Sequence, residues 1–435
     1  MLIRLLYTLI LAVAAPLLLF GLYRSKPNKP KFGQRWKEHF GITPRLTSAD
    51  RPLWIHAVSV GESLAAVPLI KALKAENPAQ VIVVTTTTST GAEQMEKLGD
   101  LVEHRYMPID FSFAVRGFLK AINPAKMLII ETELWPNTLA TVHKANIPIV
   151  VVNARLSEKS RSNYAKVHAL FDQIHPCLSK VLCQSQADAD RFAELGVDAD
   201  KLNVTGSIKF DIQISEEIRN KGSDLRLLLG QDRPIWIAAS THKGEDEQVL
   251  AAHRQLLATH SNALLILVPR HPERFNSVFD LCEKQGFDTV RRSGSSCITE
   301  STQVYLGDTM GEMLVLLRAA DVCFMGGSLV GDKVGGHNVL EPAALGVPTI
   351  TGPSYYNFKE IVDELIQRDA MNVCDNATDM ASSLFELLTN LDKAIATREN
   401  MSAFMQCSSG AIARVLQAIT SVDTAQEPHS KRNRH

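Results

Sequence analysis

The stretch that decides the fold is "LWIHAVSVGESLAAVPLIKALKAENPAQVIVVTTT", residues 53–87. Its two ends, 53–60 and 81–87, are short apolar runs rich in valine and isoleucine, as strands covered on both faces are. Between them, Ser63–Ala75 has the apolar spacing of a helix. A strand, a helix and a second strand in succession are typical of a parallel, doubly wound sheet.

The same alternation continues through the rest of the chain. After the opening unit, the sequence predicts strands at 127–131, 147–152 and 180–184. The pattern restarts after "LNVTGSIKFD" (202–211), with strands predicted at 234–240, 263–269, 303–307, 321–327 and 347–351.

Two domains follow from this restart and from the length. A chain of 435 residues is too long for one ordinary core, since domains of roughly 150–200 residues are typical. We therefore predict two doubly wound, Rossmann-like α/β domains, 51–208 and 209–424. Ligands are expected in the cleft between them, at the carboxyl ends of strands.

The N-terminus predicts a membrane anchor over residues 1–24. Leu5 to Tyr23 contains no charge, and about 20 residues span a bilayer as a helix. A cleaved signal peptide is the alternative, because Ala12-x-Ala14 resembles a cleavage site, but this site lies inside the apolar run and should follow it. Basic residues after the run favour a cytoplasmic position for the larger part of the chain.

Residues 25–50 form a basic and aromatic segment. In "KFGQRWKEHFG", Phe32, Trp36 and Phe40 lie among cations at helical spacing. Such a segment suits the headgroup region of a membrane, or a linker helix packed on the first domain, and both interpretations stay open. At the other end, "AQEPHSKRNRH" (425–435) predicts a basic tail.

Composition excludes several classes of protein. The formal net charge of −1 gives no overall basicity that would point to nucleic acid. The seven cysteines are scattered without CxxC spacing, which indicates a reducing compartment and no zinc site. Two segments match the loose DxD pattern of metal-dependent sites, but neither suits a metal. Asp188-x-Asp190 lies in a predicted helix, where residues two apart face different directions, and Asp198-x-Asp200 lies in a turn. We therefore expect neither a bound metal nor a cofactor.

Four polar loops follow predicted strands of the second domain: "AASTHKGE" (238–245), "VPRHPERF" (268–275), "GDTMGE" (307–312) and "GGSLVGDKVGGHNVLEP" (326–342). Because the carboxyl ends of parallel strands meet at one edge of a sheet, these loops predict a nucleotide site. The absence of GxxxxGK[ST] and of GxGxxG after the first strand argues against an ATPase and a dehydrogenase.

Within these loops, specific residues suit parts of a nucleotide. Gly335 and Gly336 allow a close backbone approach, and a helix starting near Asn338 offers free amides to a phosphate. Arg270 presents a fork for a phosphate or carboxylate, and Glu341 can accept two hydroxyl hydrogen bonds from a ribose. The structural alternative is that Asn338 caps the helix and Glu341 compensates its dipole.

The first domain contributes carboxylates at strand ends. Glu62 lies just past a strand, at the start of a helix, and is a candidate general base or an ordinary first-turn residue. The helix dipole is expected to lower its pKa and weaken it as a base. Glu131 and Glu133 end another strand in "IIETELWPN". Lys209, at the predicted junction, can hold an anionic donor group or be a solvated surface residue.

Taken together, these segments resemble the Kdo transferases, the lipid A-directed 3-deoxy-D-manno-octulosonic acid transferases of Gram-negative envelopes. The matching stretches occur in this order: "HAVSVGE", "ETELWPN", "NARLS", "VTGSIKFD", "VPRHPERF", "GDTMGE" and "GGHNVLEPAA". The resemblance runs from the N-terminal anchor to about residue 360. It implies a GT-B fold, CMP-Kdo as the donor and lipid IVA as the acceptor, at the cytoplasmic face of the cell inner membrane.

The resemblance also implies roles for individual residues. Glu62 matches the family's proton acceptor, and Glu131 and Lys209 match positions that stabilise the transition state. The CMP-contacting segments match Pro269 and Arg270, Met310, Gly311 and Glu312, and Asn338, Val339, Leu340 and Glu341. The implied activity is therefore inverting Kdo transfer in lipopolysaccharide synthesis, without an enzyme-bound metal.

Two alternatives remain at this point. One is another GT-B enzyme that uses a UDP-sugar, either a transferase or a non-hydrolysing epimerase. The other is a membrane-tethered regulator that binds a nucleotide without catalysis. The clustered carboxylates at strand ends argue against the regulator.

Overall fold

The structure, a computed structural model, describes residues 2–24, 30–48, 50–212 and 214–424. The chain divides into two compact units. Unit 1 comprises Met1–Asp211 together with Ser409–His435, and unit 2 comprises Ile212–Ser408. Each unit is a parallel sheet with helices on its two faces.

Unit 1 has a seven-stranded sheet in the order β3-β2-β1-β4-β5-β6-β7, and all of its strand pairs are parallel. Its strands are β1 (Leu53–His56), β2 (Ile82–Thr86), β3 (Glu103–Tyr106), β4 (Lys126–Ile130), β5 (Ile149–Ala154), β6 (Lys180–Cys183) and β7 (Leu202–Val204). The helices up to residue 194 are α1 (Leu2–Tyr23), α2 (Val60–Glu76), α3 (Ser89–Glu96), α4 (Ser112–Ile122), α5 (Pro136–Lys144), α6 (Glu158–Lys166), α7 (His168–Phe171) and α8 (Gln186–Glu194).

The apolar runs of unit 1 are buried on both faces of the sheet, as their composition predicts. Trp54 of β1 packs into one core with Phe118 of α4. Its neighbour Ile55 points the other way, into a second core with Leu69 of α2. Successive residues of a strand face opposite sides of the sheet, so an uninterrupted apolar run supplies both cores.

Unit 2 repeats this plan with a seven-stranded parallel sheet in the order β10-β11-β9-β8-β12-β13-β14. Its strands are β8 (Ile235–Thr241), β9 (Leu264–Pro269), β10 (Thr289–Arg291), β11 (Val304–Leu306), β12 (Val322–Met325), β13 (Thr349–Thr351) and β14 (Met371–Val373). Its helices are α9 (Glu216–Leu229), α10 (Asp246–Leu257), α11 (Phe275–Lys284), α12 (Met313–Arg318), α13 (Leu340–Ala344), α14 (Lys359–Gln367), α15 (Ala377–Thr389) and α16 (Leu391–Ser408).

Both sheets reverse their strand order at one point, and that point positions the candidate sites. In unit 1 the reversal lies between β1 and β4, and in unit 2 it lies between β8 and β12. In open α/β sheets the loops at the carboxyl ends of such strands diverge and leave a crevice for ligands.

The last helix, α17 (Ala411–Thr424), corrects the predicted domain boundary at residue 424. It belongs to unit 1, because Ala411, Ile412 and Val415 complete the core on the α2 face of that sheet. The Asp211 carboxylate fixes the return of the chain by accepting hydrogen bonds from the backbone N–H groups of Gly410 (2.6 Å) and Ile412 (2.5 Å). The predicted basic tail, 425–435, lies outside the described residues.

Helix α1 is the one helix among the described residues that is long and apolar enough to cross a membrane, with a mean hydropathy of 2.4. Its first half is tied to unit 1, since the Tyr7 hydroxyl donates to Asp110 Oδ2 (2.9 Å) and Asn137 Nδ2 donates to Thr8 Oγ1 (2.9 Å). Leu9, Val13 and other apolar side chains of α1 remain exposed. Such side chains are suited to contact with lipid.

Of the three aromatic side chains of the basic segment, Phe32 is buried, Phe40 is partly buried and Trp36 is exposed. A 3₁₀ helix runs over Gly33–Phe40. Phe32, just before it, packs edge-on against Tyr106 of β3, with 4.8 Å between ring centroids. Trp36 is 45% exposed. The linker interpretation therefore holds for Phe32, and Trp36 remains available to a membrane surface. Residues 25–29 and 49 lie outside the described residues.

Candidate functional site

Glu62 lies in the first turn of α2, at the carboxyl end of β1, as the sequence predicted. Ser59 precedes the helix, and its hydroxyl accepts from the Glu62 N–H (3.3 Å) while it donates to Glu62 Oε1 (2.7 Å). Glu62 Oε2 accepts from the Val58 N–H (2.7 Å). This reciprocal capping arrangement fixes the rotamer of Glu62. Because each carboxylate oxygen has two lone pairs, the carboxylate can still accept a proton.

The pKa of Glu62 differs from the expectation. We predicted that the helix N-terminus would lower it, but burial raises the pKa above its ordinary value, and the hydrogen bonds from Ser59 and Val58 oppose this only in part. The negative charges of Glu133 and Glu131 raise the pKa further. Desolvation therefore outweighs the stabilising N–H groups, and Glu62 is a stronger base than its position alone suggested.

Glu131 and Glu133 follow β4, the strand next to β1. Glu131 has a left-handed backbone, with φ of 62°, which is unfavourable for a residue with a side chain. Glu133 Oε2 accepts from Trp135 Nε1 (3.1 Å), and burial raises the pKa of Glu133. Since both charges act on Glu62, the structure brings the three carboxylates together at the point where the strand order of unit 1 reverses.

Lys209 joins this cluster from a distant part of the chain. Its ammonium lies 2.8 Å from Glu131 Oε1. Lys209 belongs to a 3₁₀ turn, Ile208–Phe210, whose Ile208 N–H donates to the side chain of Asn153 (3.1 Å). Asn153 is fully buried and, like Glu131, has a left-handed backbone, with φ of 59°. The local sequence pattern does not reveal that Asn153 positions this turn, although the residue lies in "NARLS" (153–157).

In unit 2, Asn338 and Glu341 flank the start of α13 as expected. Asn338 Oδ1 accepts from the Leu340 N–H (3.1 Å), and Asn338 Nδ2 donates to Glu341 Oε1 (3.3 Å). However, α13 has only five residues, so its dipole is small, and Asn338 already satisfies the Leu340 N–H. A phosphate therefore finds little support from this helix terminus itself.

The first of the paired glycines, Gly335, serves the protein's own packing. Gly335 has φ of 82°, and a Cβ atom there would lie 2.4 Å from the ring of Tyr356. Its missing side chain therefore makes room for Tyr356, where we had expected room for a donor phosphate. The Tyr356 hydroxyl in turn donates to the Asp332 carbonyl oxygen (3.1 Å).

Arg270 lies at the carboxyl end of β9, next to β8. It acts on Glu341 electrostatically: burial raises the pKa of Glu341, while the Asn338 hydrogen bond and the Arg270 charge lower it in part. Within the described part of the chain, the Arg270 side chain makes no hydrogen bond or ion pair. Pro269 ends β9, and Val339 and Leu340 are buried. The structure therefore groups Arg270 with the 338–341 segment.

The third predicted segment, Met310 to Glu312, follows β11. Met310 is 64% exposed, and Gly311 has φ of 82°. Glu312 is engaged by Arg292, with 2.7 Å between Arg292 Nη2 and Glu312 Oε1, and this partner lowers the pKa of Glu312. Arg292, which follows the short edge strand β10, is not among the residues that the sequence predicts at this site.

Glu245, a further residue without a predicted role, holds two loops of unit 2 together. Its carboxylate is fully buried and accepts from three successive backbone N–H groups, those of Gly327 (2.7 Å), Ser328 (2.9 Å) and Leu329 (2.9 Å). It also accepts from the His242 N–H (2.8 Å). A buried carboxylate with four donors fixes the glycine loop after β12 onto the loop after β8. The only signal in the sequence was its position in "AASTHKGE".

No group of three His, Cys, Asp or Glu side chains within the described residues is arranged to hold a metal ion. Asp188, one of the rejected candidates, instead accepts hydrogen bonds from Ser185 Oγ (2.5 Å) and the Leu156 N–H (2.8 Å). This carboxylate therefore has a structural role at the start of α8.

Comparisons with solved structures agree with the two-unit fold. UDP-GlcNAc 2-epimerase from Neisseria meningitidis, bound to UDP-GlcNAc, is 12% identical and covers 87% of this chain and 100% of its own, with a TM-score of 0.56. This likeness shows the fold alone, and it confirms the predicted GT-B class of two doubly wound units. The C-terminal CMP-Kdo binding domain of WaaA from Acinetobacter baumannii is 37% identical over 43% of this chain and 98% of its own, with a TM-score of 0.40.

Comparisons of sequence are more specific. The family model described as 3-Deoxy-D-manno-octulosonic-acid transferase (kdotransferase) matches residues 34–212. The 3-deoxy-D-manno-octulosonic acid transferase of Haemophilus influenzae is 42% identical over 389 residues, which are 89% of this chain and 91% of that protein. At this identity over nearly the whole of both chains, the protein belongs to the family of 3-deoxy-D-manno-octulosonic acid transferases, which are glycosyltransferases of lipopolysaccharide synthesis.

Proposed function

We propose that the protein transfers Kdo from CMP-Kdo to lipid IVA, with inversion, and that Glu62 is the general base. The observation that supports this best is the buried Glu62 carboxylate at the carboxyl edge of the sheet, since burial raises its pKa and the charges of Glu133 and Glu131 raise it further. A general base is most effective when its pKa is closer to the working pH.

The proposed reaction balances as a single displacement. A sugar hydroxyl of lipid IVA forms a bond to C2 of Kdo, and the bond from C2 to the phosphate oxygen of CMP breaks. The electron pair of that bond leaves with CMP, and the hydroxyl proton passes to Glu62. Because positive charge develops at C2 before the new bond is complete, a carboxylate is a sufficient base.

Glu131 and Lys209 are proposed to stabilise the transition state. The Glu131 carboxylate favours the positive charge at C2, and the Lys209 ammonium favours the negative charge on the departing phosphate. Their 2.8 Å ion pair holds both groups in place before the substrates bind. Such fixed charges need not reorganise during the reaction.

Donor binding is assigned to unit 2. Arg270 is proposed to pair with an anionic group of CMP-Kdo, and Glu341 with the hydroxyls of the ribose. Pro269, Val339 and Leu340 are proposed to set the backbone positions of Arg270 and Glu341, their neighbours in the chain. Met310 to Glu312 are proposed to line another side of the donor site, and the ion pair of Glu312 with Arg292 fixes their position. The proposal requires no enzyme-bound metal.

The N-terminal part is proposed to hold the enzyme at the cytoplasmic face of the inner membrane. The exposed apolar side chains of α1 and the exposed Trp36 are suited to lipid. Attachment to the membrane that contains the acceptor raises the effective concentration of that acceptor.

The test is Glu62→Gln in the full-length protein, incubated with CMP-Kdo and lipid IVA, with the products identified by mass spectrometry. Turnover should fall by roughly 10²–10⁴-fold, the usual contribution of a general base, while CMP still binds. Glu76→Gln is the matched control, because Glu76 is exposed at the far end of the same helix.

Turnover by Glu62→Gln equal to that of the wild type would remove Glu62 from the mechanism. A wild-type enzyme that leaves lipid IVA unmodified in the presence of CMP-Kdo would overturn the substrate assignment.

A further inference from the structure

Three histidines lie together in unit 2 and have no role in the function proposed so far. His242 directly follows β8, His271 follows β9, and His337 lies in the long loop after β12. Since β9, β8 and β12 are neighbours in the sheet, all three come from its carboxyl edge. Two of them flank the reversal of strand order between β8 and β12, where this class of fold binds ligands.

The contacts between the rings are direct. His242 Nε2 lies 2.8 Å from His337 Nε2. The ring of His271 stands edge-on to that of His242, with 5.2 Å between centroids and 85° between planes. A hydrogen bond between two imidazole nitrogens needs one N–H donor and one bare acceptor nitrogen, so this pair shares a single proton between the two Nε2 atoms.

Positive charge surrounds the pair. Arg270 acts on both His242 and His337, and Arg274 acts on His242. A carboxylate that acts on His242 is that of Glu245, whose oxygens already accept four backbone N–H groups. Arg274 is itself paired with Asp246, and Arg270 has no such partner among the described residues. Arg270 also acts on the Glu341 carboxylate, but no hydrogen bond or ion pair joins the two side chains among the described residues. The cluster therefore has more N–H donors and cations than carboxylate oxygens directly bound to them.

The protonation state follows from this environment. Burial, the neighbouring His242 and the Arg270 charge together lower the pKa of His337 to about 4. Burial also lowers the pKa of His242, and Glu245 opposes this only in part. Both rings are therefore neutral at neutral pH without a ligand. An anion placed against them would remove the penalty for charging, because it supplies the missing opposite charge.

We propose that His242, His271 and His337, together with Arg270, form an oxyanion subsite for the donor, and that the subsite takes up a proton when the oxyanion binds. The proposal rests on the donor assignment above, because CMP-Kdo offers two oxyanions, a phosphate and the carboxylate of an acid sugar. Either group presents oxygen acceptors that match imidazolium and guanidinium donors. The subsite also explains how an anion is bound although α13 is too short to attract one.

The experiment is titration calorimetry of the full-length protein in detergent, without acceptor, in buffers of different ionisation enthalpy. The pH is 7.5, where a phosphate monoester, with a second pKa of about 6, is already ionised. The ligands are cytidine, CMP and CMP-Kdo. The dependence of the observed heat on the buffer gives the number of protons taken up on binding.

Two results support the subsite. Proton uptake with CMP but not with cytidine assigns it to the phosphate, and uptake that appears only with CMP-Kdo assigns it to the sugar carboxylate. Binding of CMP-Kdo without proton uptake overturns the proposal. Because no acceptor is present, this outcome is independent of whether Kdo is transferred, which the Glu62→Gln experiment decides.

Variants locate the proton. His337→Asn should abolish the uptake and weaken binding of the responsible ligand on the order of 10-fold, as expected for the loss of one charge-assisted hydrogen bond. His271→Asn is the second variant, since His271 is exposed and its replacement leaves the buried loop intact; it should weaken binding in the same direction. His260→Asn is the control, because His260 precedes β9 and so lies at the opposite edge of the sheet. Uptake that persists unchanged in both His337→Asn and His271→Asn overturns the assignment.

Discussion

The Lys209 ammonium lies 2.8 Å from the Glu131 carboxylate, although 78 residues separate the two in the chain. The ion pair connects the carboxyl end of β4, a central strand, with the turn that follows the edge strand β7. The two side chains remain 37% and 29% exposed. Partly exposed ion pairs contribute only about 0–1 kcal/mol to stability, so this pair is poorly explained as a structural device.

Lys209→Met should therefore lower the activity of the enzyme and leave its stability nearly unchanged. We expect the unfolding midpoint to change little, because an exposed pair contributes about 1 kcal/mol at most. Turnover should fall on the order of 10²-fold, as when one preorganised electrostatic contact is lost. Lys201→Met is the control, since Lys201 forms a 2.9 Å ion pair with Asp198 elsewhere in unit 1. Equal, small effects of both variants on turnover would show that Lys209 has no catalytic role.

The backbone conformation of Glu131 offers a second way to distinguish a catalytic role from a structural one. A left-handed conformation costs a residue with a side chain about 1 kcal/mol, and glycine avoids this cost. Glu131→Gly should thus leave the free energy of unfolding unchanged or raise it by up to about 1 kcal/mol, while turnover falls. Asn146→Gly is the control, because Asn146 is exposed and has a similar φ of 55°. Destabilisation by Glu131→Gly alone would argue that the side chain has a structural role.

The described part of the chain contains fourteen strands, of which the sequence predicted ten. The four that it missed are the edge strands β3, β7, β10 and β14. Central strands are covered on both faces and therefore read as continuous apolar runs. Edge strands are partly exposed: in β7, Leu202 is only partly buried, and Asn203 and Val204 are exposed. Their pairing depends on a neighbour that is already in place, which a local pattern does not reveal.

The candidate site could also be predicted only in part from the sequence. Strand ends located Glu62, Glu131 and Arg270, because position in a doubly wound sheet follows from the order of elements. Contacts between distant residues did not follow, such as that between Asn153 and the Ile208 N–H. The predicted direction of the Glu62 pKa shift was also wrong. The burial that raises this pKa arises only when the helices and strands of unit 1 pack together.

The mutual repulsion of the carboxylates predicts a shift in the pH dependence of activity. Glu62 must be ionised to accept a proton, so activity falls as the pH drops through its raised pKa. Glu133→Gln removes a negative charge that raises this pKa, and the acid limb of kcat/KM should therefore move to lower pH. Glu103→Gln, on the edge strand β3, is the control for a change of net charge.

The pH profile distinguishes this electrostatic effect from a merely structural one. A disturbed site would lower kcat/KM at every pH and leave the midpoint of the acid limb in place. An acid limb that moves to higher pH in Glu133→Gln would contradict the arrangement of the three carboxylates.

The loop after β12 allows the packing of Gly335 against Tyr356 to be measured separately from the strain of the backbone. Gly331 and Gly335 both have positive φ, 63° and 82°, but a Cβ on Gly331 would meet nothing within 4 Å, whereas one on Gly335 would lie 2.4 Å from the Tyr356 ring. Gly331→Ala should cost about 1–2 kcal/mol from backbone strain alone. Gly335→Ala should cost about 1–3 kcal/mol more, since the ring must move.

The double variant Gly335→Ala/Tyr356→Ala tests this cause directly. Removal of the ring should recover most of the additional loss, because Tyr356 is 52% exposed and its own replacement costs little. Chemical unfolding followed by circular dichroism measures the stabilities, and CMP binding shows whether the loop retains its shape. If Gly335→Ala and Gly331→Ala lose the same stability, the ring does not constrain position 335, and the glycine is then free to serve a ligand, as the sequence first suggested.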